Sequence, residues 1–492
     1  MLNLFVSGPL HDIASGHLPA AWILHLYKEK TMDDFRESQV LTTAKISRRG
    51  FLRATAIATG GMALAACQLP APAGSTSNSS QSATTPGKEK VTLRMQNWFN
   101  DGDMWAWQIG LDKAKVAYPD TDVTLEYNDY GTTAVKIVAS AAAGDVPDVI
   151  MASTDHTPLL ASSKLLMDLN PYIDLEPETV KVDDFAPGIS QGFKLWGRWW
   201  GFPYDHSTYG IYYNKDLFAQ AGVSEPPGEG GKPWSLDDFV AAATKLTLPD
   251  GQQWGVTFPW DGNYLASNFI YTFGGRIFDD ELRQCIINSD EAAQGIQWLA
   301  DLLVKHKVAP TVAEQTGSTV DYFASGIAAM QFNGQWDLLN KNKTSSFPFE
   351  IGYLPIGETK RSVTGGSGFC VSASTKYAQQ GWEFVKTYTS KDVLEVMVGR
   401  TGRGIPARTS AMPAYLTAGG RATHPNVFIE QLGWSFNDRL SLAMFEFNDA
   451  YSREMEAVFS GEGDARTALD KVAEATNVAV EEKWKNVTLD IQ

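Results

Sequence analysis

Leu195–Asn214 reads LWGRWWGFPYDHSTYGIYYN, and the reading of this stretch decides the fold. Trp196, Trp199 and Trp200 form an aromatic cluster of the kind that packs into a core, and a Gly-Phe-Pro break follows it. Pro203 biases the residue before it toward extended geometry. Ile211, Tyr212 and Tyr213 favour a pleated surface and predict a short strand over Gly210–Asn214. Between break and strand lie Tyr204, Asp205, His206 and Ser207, residues that do not normally feed a buried strand. A backbone that passes between two lobes, with polar side chains facing a cleft, accounts for them.

The rest of the chain is long enough for this. Its 492 residues exceed what one small core needs and suit two or more lobes. The composition, 43% hydrophobic and 20% charged, is that of a folded globular protein. The formal charge is −16, and the acidic excess lies wholly beyond the first 66 residues. That balance disfavours nucleic acid as a partner, because such affinity comes largely from Lys and Arg on phosphate. The sequence has no internal repeat.

Ser47–Cys67 reads SRRGFLRATAIATGGMALAAC. Arg48 and Arg49, followed by Phe51, Leu52 and Arg53, form a twin-arginine export signal. The apolar run to Ala66 is interrupted by glycine and too short for a permanent transmembrane helix. Leu64-Ala65-Ala66-Cys67 looks like a lipobox, in which the Cys67 thiol is acylated and becomes the mature N-terminus. Residues 1–66 therefore read as a leader. Met32 gives it a conventional length before Arg48, so residues 1–31 are expected to precede the true start. Residues 67–90 are rich in Pro, Ser, Thr and Gly and read as a disordered tether. Cys285 and Cys370 read as free buried thiols.

From Val91 the pattern is an alternation of strands and helices. Strands are expected at Val91–Trp98, Val123–Tyr127 and Asp148–Met151, and helices at Trp105–Tyr118, Ala134–Ala143 and Pro158–Lys164. This β-α-β-α-β-α order implies a parallel sheet, and ligands bind such sheets at the carboxyl ends of the strands. Asn97, Trp98, Asp101 and Asp155 lie at or just past such ends. After Asn214 a second set begins. Ser235 and Asp238 cap a helix. Strands are expected at Thr257–Trp260, Ala328–Asn333 and within Gly365–Ser372, and helices at Glu291–His306, Gln380–Thr389 and through the tail from Arg439.

Four segments in order carry a resemblance: Gly144–Ile150 (GDVPDVI), Gly210–Phe218 (GIYYNKDLF), Trp234–Phe239 (WSLDDF), and Phe323–Met330 (FASGIAAM) with Gly334 and Trp336. Together they resemble the family 1 extracellular solute-binding proteins of ABC importers, which include maltose-binding protein. The match runs from about Val91 to Gln492. It implies an α/β protein with the two-lobed periplasmic binding protein type II fold. Three crossings join the lobes, expected near Asp205–Gly210, Ala328–Gln331 and Phe369–Ala373. Lobe I would hold residues 91–205 and 331–370, and lobe II residues 206–330 and 371–492. The implied function is capture of a mono- or oligosaccharide by a monomeric lipoprotein on the outer face of the cytoplasmic membrane. It would hand the sugar to permease subunits driven by a separate ATPase, since this chain carries no Walker motif. The family's Asp-Arg pair after the third strand is matched by Asp155 and His156, so the acid is kept and the Arg is lost. Ser207 takes the place of the family's acid in the first crossing, with Asp205 nearby. Trp336 matches its stacking tryptophan.

A sugar presents hydroxyls that donate and accept, and flat C–H faces. Its site needs carboxylates and amides for the first and aromatic rings for the second. Asn97, Asp101, Asp155, Asp205 and Asn263 supply the polar set; Trp98, Trp260, Tyr264, Trp336 and Trp434 supply the rings. Arg400 and Arg403, in GRTGRGIPAR, read as a structural loop or a cleft rim. A glycoside hydrolase also uses cleft carboxylates, but needs two at a set separation, and the sequence marks no such pair. For a metal-binding protein of the same fold, Tyr212-Tyr213 is the relevant motif, yet adjacent strand residues point to opposite faces. Only four histidines follow Cys67, without Cys/His metal-ligand spacing. No catalytic residue, metal or cofactor is expected. The leader makes a direct prediction: Cys67→Ala releases the exported protein from the membrane fraction on cell fractionation, and unchanged retention would remove the lipoprotein assignment.

Overall fold

The computed structural model describes residues 90–99, 102–259, 263–418, 420–437 and 440–486. The leader with Arg48 and Arg49, Cys67 and all but the last residue of the expected tether lie outside the described residues, as do Asp101 and Trp260.

The first sheet is built from β1 (Val91–Asn97), β2 (Thr121–Tyr127), β3 (Val149–Ser153), β4 (Phe202–Pro203) and, from far along the chain, β10 (Ser367–Val371). Its order is β2-β1-β3-β10-β4. β1 pairs parallel with β2 and with β3, whereas β10 runs antiparallel to β3 and β4. The parallel part is what the β-α-β-α-β reading requires, with α1 (Met104–Ala117) and α2 (Thr133–Ala142) as the connections. Val149, Ile150, Met151 and Ala152 are all fully buried, as expected of a strand covered on both faces.

The second sheet contains β6 (Tyr209–Asn214), β7 (Trp254–Thr257), β8 (Ala328–Gly334) and β9 (Phe349–Gly352), in the order β9-β6-β8-β7. β6 is antiparallel to both neighbours, and β8 and β7 are parallel. The lobe is completed by α3 (Tyr264–Thr272), α4 (Asp290–Val304), α7 (Met444–Ser460) and α8 (Ala465–Asn486), which pack into one core with Phe332, Ile296, Leu469 and Val472. Ser235 and Asp238 form the expected reciprocal capping box. The strand expected at Thr257–Trp260 is displaced toward the N-terminus. Its register is set by Trp254 opposite Ala328, and pairing ends at Thr257 opposite Gln331.

The sequence expectation for the crossings is corrected here. The first is where it was expected: β5 (Asp205–His206) links the sheets and pairs with β11 (Ile405–Pro406), and Ser207 bridges Gly365. Ala328–Gln331, however, lies inside the second sheet, and Phe369–Ala373 begins inside the first. The chain returns to the first sheet at Thr364–Gly366. It leaves again between α6 (Ala378–Tyr388), which packs on α1, and Asn426, passing through β11. The segment 331–370 is therefore divided: its β8 and β9 parts stand in the second sheet and only β10 in the first. AAMQFNG and SGFCV are buried on both faces apart from the half-buried Ser367, so nothing in their pattern separates a buried strand from a crossing. Cys285 and Cys370 are free and buried.

Candidate functional site

The crossings bring both lobes to one cavity of about 680 Å³. From the first lobe come Trp98, Asp103, Tyr130 and Ser153; from the second, Tyr264, Asn333, Trp336, Asp337, Asn340 and Lys343. Asp205, Ser207, Gly366 and Arg403 line it from the crossings and the segment beside β11. Gly366 has φ 151°, and a Cβ there would stand 2.2 Å from the Asp205 carbonyl oxygen, so only glycine lets the crossings touch.

Trp336 is held by its neighbours along the chain. Gln335 is fully buried; its N–H donates to Thr208 O (3.2 Å), its Oε1 accepts from the Thr208 N–H (3.0 Å), and its Nε2 donates to His206 O. The indole folds back over Gly334, where a Cβ would overlap it at 2.1 Å. Gly334 has φ −89°, so its role is close approach rather than a left-handed turn. The Trp336 ring lies 17° from coplanar with Tyr264 at 6.0 Å and edge-on to Tyr209 at 5.1 Å. Tyr264 Oη donates to Ser207 O (3.1 Å), tying this aromatic group to the first crossing. In the first lobe, Trp98 stands edge-on to Tyr130 (5.3 Å) and His156 (5.8 Å).

Two contacts join the lobes beside the cavity. Lys343, on α5 (Leu338–Thr344), donates from Nζ to Gly102 O at 2.6 Å. His156 stacks on Phe445 of α7 with centroids 5.7 Å apart.

Arg403, Asp103 and Asp337 are held in ion pairs. Arg403 Nε lies 2.5 Å from Asp103 Oδ2, and Asp337 Oδ2 is 3.0 Å from Lys341 Nζ and accepts from Asn333 Nδ2 at 2.7 Å. Asp205 is buried and its Oδ1 accepts the Ser367 N–H at 2.9 Å. Burial pushes its carboxyl up to about 7, against the opposing pull of the Arg403 charge and the Ser367 N–H. Among the described residues no group of three or more His, Cys, Asp and Glu could hold a metal ion. Tyr212 and Tyr213 pack into different clusters on opposite faces of β6.

Of the residues singled out from sequence, Trp98, Asp205, Tyr264 and Trp336 line the cavity. The others described have different positions. Asn97 shapes the chain after β1: Nδ2 donates to Met95 O (3.3 Å) and Glu126 O (3.4 Å), and Oδ1 accepts the Phe99 N–H (3.0 Å). Asp155 is buried and accepts from Tyr130 Oη (3.2 Å) and Ser153 Oγ, two residues that do reach the cavity. Asn263 is buried and donates to Asn448 Oδ1. Trp434 packs at 5.7 Å on Tyr353, with Lys360 Nζ 3.7 Å over its ring. Sequence reasoning missed Asp103, Tyr130, Asn333, Asp337, Asn340 and Lys343, and weighted Arg403 toward a structural loop. Asp337, Asn340 and Lys343 follow Trp336 at helical spacing, a signal that periodicity could have found. Arg400 pairs instead with Glu395 at 2.5 Å.

The model of the bacterial extracellular solute-binding protein family matches residues 102–395, more than half of the chain. The chain is 25% identical over 314 residues to the maltotriose-binding protein of Pyrococcus abyssi, covering 62% of this chain and 63% of that protein, just under two thirds. It is 26% identical over 331 residues to the sn-glycerol-3-phosphate-binding periplasmic protein of Brucella melitensis, covering 62% of this chain and 74% of that one. In fold it resembles an ABC substrate-binding protein from Listeria monocytogenes in complex with cycloalternan. That match has TM-score 0.74 and 22% identity and covers 80% of this chain and all of the other. The maltotriose-binding protein of Thermus thermophilus bound with maltotriose matches at TM-score 0.67 and 19% identity, over 79% of this chain and all of the other. These two likenesses are of fold, and both neighbours share the two-lobed architecture described above.

Asp205 gives the unliganded protein a specific pH dependence. Its carboxyl holds a proton in the folded state to about pH 7, but loses it near 3.8 when unfolded. Between those values the native state binds more protons, so stability falls as pH rises and levels off above 7. At about 1.4 kcal/mol per pH unit, the loss relative to Asp205→Asn is on the order of 3–4 kcal/mol. Urea unfolding of both proteins from pH 4 to 8 checks this; a difference that is flat or rises with pH contradicts it.

Proposed function

Because this chain belongs to the bacterial extracellular solute-binding protein family, we propose that it captures a mono- or oligosaccharide between its lobes and delivers it to an ABC importer. The observation that supports this most is the cavity itself: about 680 Å³, within the roughly 300–1,000 Å³ of small-ligand sites. Its walls carry aromatic rings at Trp98, Tyr264 and Trp336 beside carboxylates, amides and hydroxyls at Asp205, Asn333, Asn340, Ser153 and Ser207. Rings take the apolar faces of a pyranose, and the polar set takes its hydroxyls.

Delivery follows from the two-lobed geometry. A ligand that touches both walls binds the closed arrangement better than an open one, and shifts the population toward it by that difference. The Lys343–Gly102 hydrogen bond and the His156–Phe445 stack add to the closed arrangement from the rim. The closed protein then presents both lobes together to a permease driven by a separate ATPase. Export by the twin-arginine signal and acylation of Cys67 keep it, as a monomer, on the outer face of the cytoplasmic membrane, with residues 68–90 as the tether. Binding without turnover is the expected chemistry.

Trp336→Ala tests the reading. If the indole covers roughly 100 Å² of sugar, at ~25 cal/mol per Å² the contact contributes at most about 2.5 kcal/mol. The expected loss on titration calorimetry is on the order of 50-fold in affinity for the sugar that binds the parent. Loss of packing on Tyr209 and Tyr264 lowers stability as well, so folding is measured on the same sample by urea unfolding. Unchanged affinity in the folded variant overturns the role of Trp336.

A further inference from the structure

Arg403 and Asp103 are an expensive pair to place in this cavity. Their side chains are only 12% and 8% exposed. The guanidinium sits 5.1 Å over the Trp107 ring, and its Nη1 is buried without a hydrogen-bond partner. Asp103 occupies the N-cap position of α1, yet its carboxylate makes no cap hydrogen bond and faces Arg403 instead. Taking both charges of such a pair out of water is costly before their attraction is counted. Fold stability is therefore a poor reason to keep it, and its place in the wall of the ligand cavity is the more informative fact.

Among the described residues the cavity's charges nearly offset one another. Arg403 and Lys343 are its cations; Asp103 and Asp205 stand beside Arg403, and the Asp103 charge also reaches Lys343. The remaining acid, Asp337, is held by Lys341. Lys343 Nζ is engaged by the Gly102 carbonyl. Asp103 and the partly ionised Asp205 leave little positive charge among these groups to meet a charged ligand. A phosphate ester brings roughly 1.5 to 2 negative charges, and would have to be desolvated next to the Asp103 carboxylate and the Asp205 carboxyl. A hydroxyl needs only a dipole, and the Arg403 guanidinium, part of the cavity wall, supplies one.

We infer that the Arg403–Asp103 pair is a specificity determinant that admits an uncharged polyhydroxy ligand and turns away a phosphorylated one. The Arg403 guanidinium donates to a ligand hydroxyl oxygen, while Asp103 cancels the charge that would otherwise attract phosphate. This rests on the sugar-binding reading and narrows it, in a family whose relatives here include both a maltotriose-binding and a glycerol-phosphate-binding protein.

The test is a melting-temperature screen of the full chain with two panels: glucose, maltose, maltotriose and trehalose; and glucose 6-phosphate, trehalose 6-phosphate and sn-glycerol 3-phosphate. Neutral probes are expected to raise the melting temperature and phosphorylated ones not to. A phosphate that binds as well as its neutral parent overturns the inference and leaves the sugar reading standing; silence from both panels counts against that reading and takes the inference with it. Asp103→Asn is expected to gain at least tenfold in affinity for the phosphate probes, a change that a merely structural role would not produce. Should that variant fail to fold, Arg403→Gln serves: it is expected to weaken the neutral ligand about tenfold without admitting phosphate. Unchanged neutral affinity in Arg403→Gln contradicts the inference.

Discussion

Two sheets are held in one molecule by backbone segments that touch each other, and the rest of the structure depends on that contact. Asp205–His206 pairs with Ile405–Pro406, Ser207 bridges Gly365, and the Asp205 carbonyl presses on Gly366 where no side chain fits. Because the crossings are adjacent, the carboxyl ends of β1, β3 and β8 open toward one space. His206 is fully buried with both ring nitrogens lacking a partner, and burial pushes its imidazole down to about 3, so it is neutral at physiological pH.

The cavity inherits its chemistry from this arrangement. Asp205, which is buried, and Arg403, whose side chain is 12% exposed, come from the crossings and the segment next to them. Groups on its walls, Trp98 and Tyr130 on one side and Tyr264 and Trp336 on the other, come from the two lobes. Such a site is complete only when both walls are near. Lobe closure is then driven by the difference in ligand affinity between the closed and open arrangements.

How much of this was legible in the sequence follows from what kind of signal each part leaves. Strands β1 to β3 and helices α1 and α2 were readable because alternation and helical period are local. The first crossing was readable because polar residues stand where a strand would want apolar ones. The other two were not: AAMQFNG and SGFCV are buried on both faces, and burial alone does not say in which sheet. Among site residues, Trp336 could be found through the family motif around it. Asn97 and Asp155 look the same in sequence whether they face a ligand or hold a turn, and here they bond to Phe99, Tyr130 and Ser153. Arg403 was underweighted because a glycine-rich loop gives no period to follow, while its value comes from Asp103, 300 residues away in sequence.

The central claim is that a ligand is held between the lobes and closes them. Small-angle scattering of the protein, alone and saturated with the sugar that binds it, tests this most directly. The account predicts a smaller radius of gyration in the bound state, as the lobes draw together about the crossings. Superimposable profiles at saturation would contradict it, and would mean a rigid cleft or a site confined to one lobe.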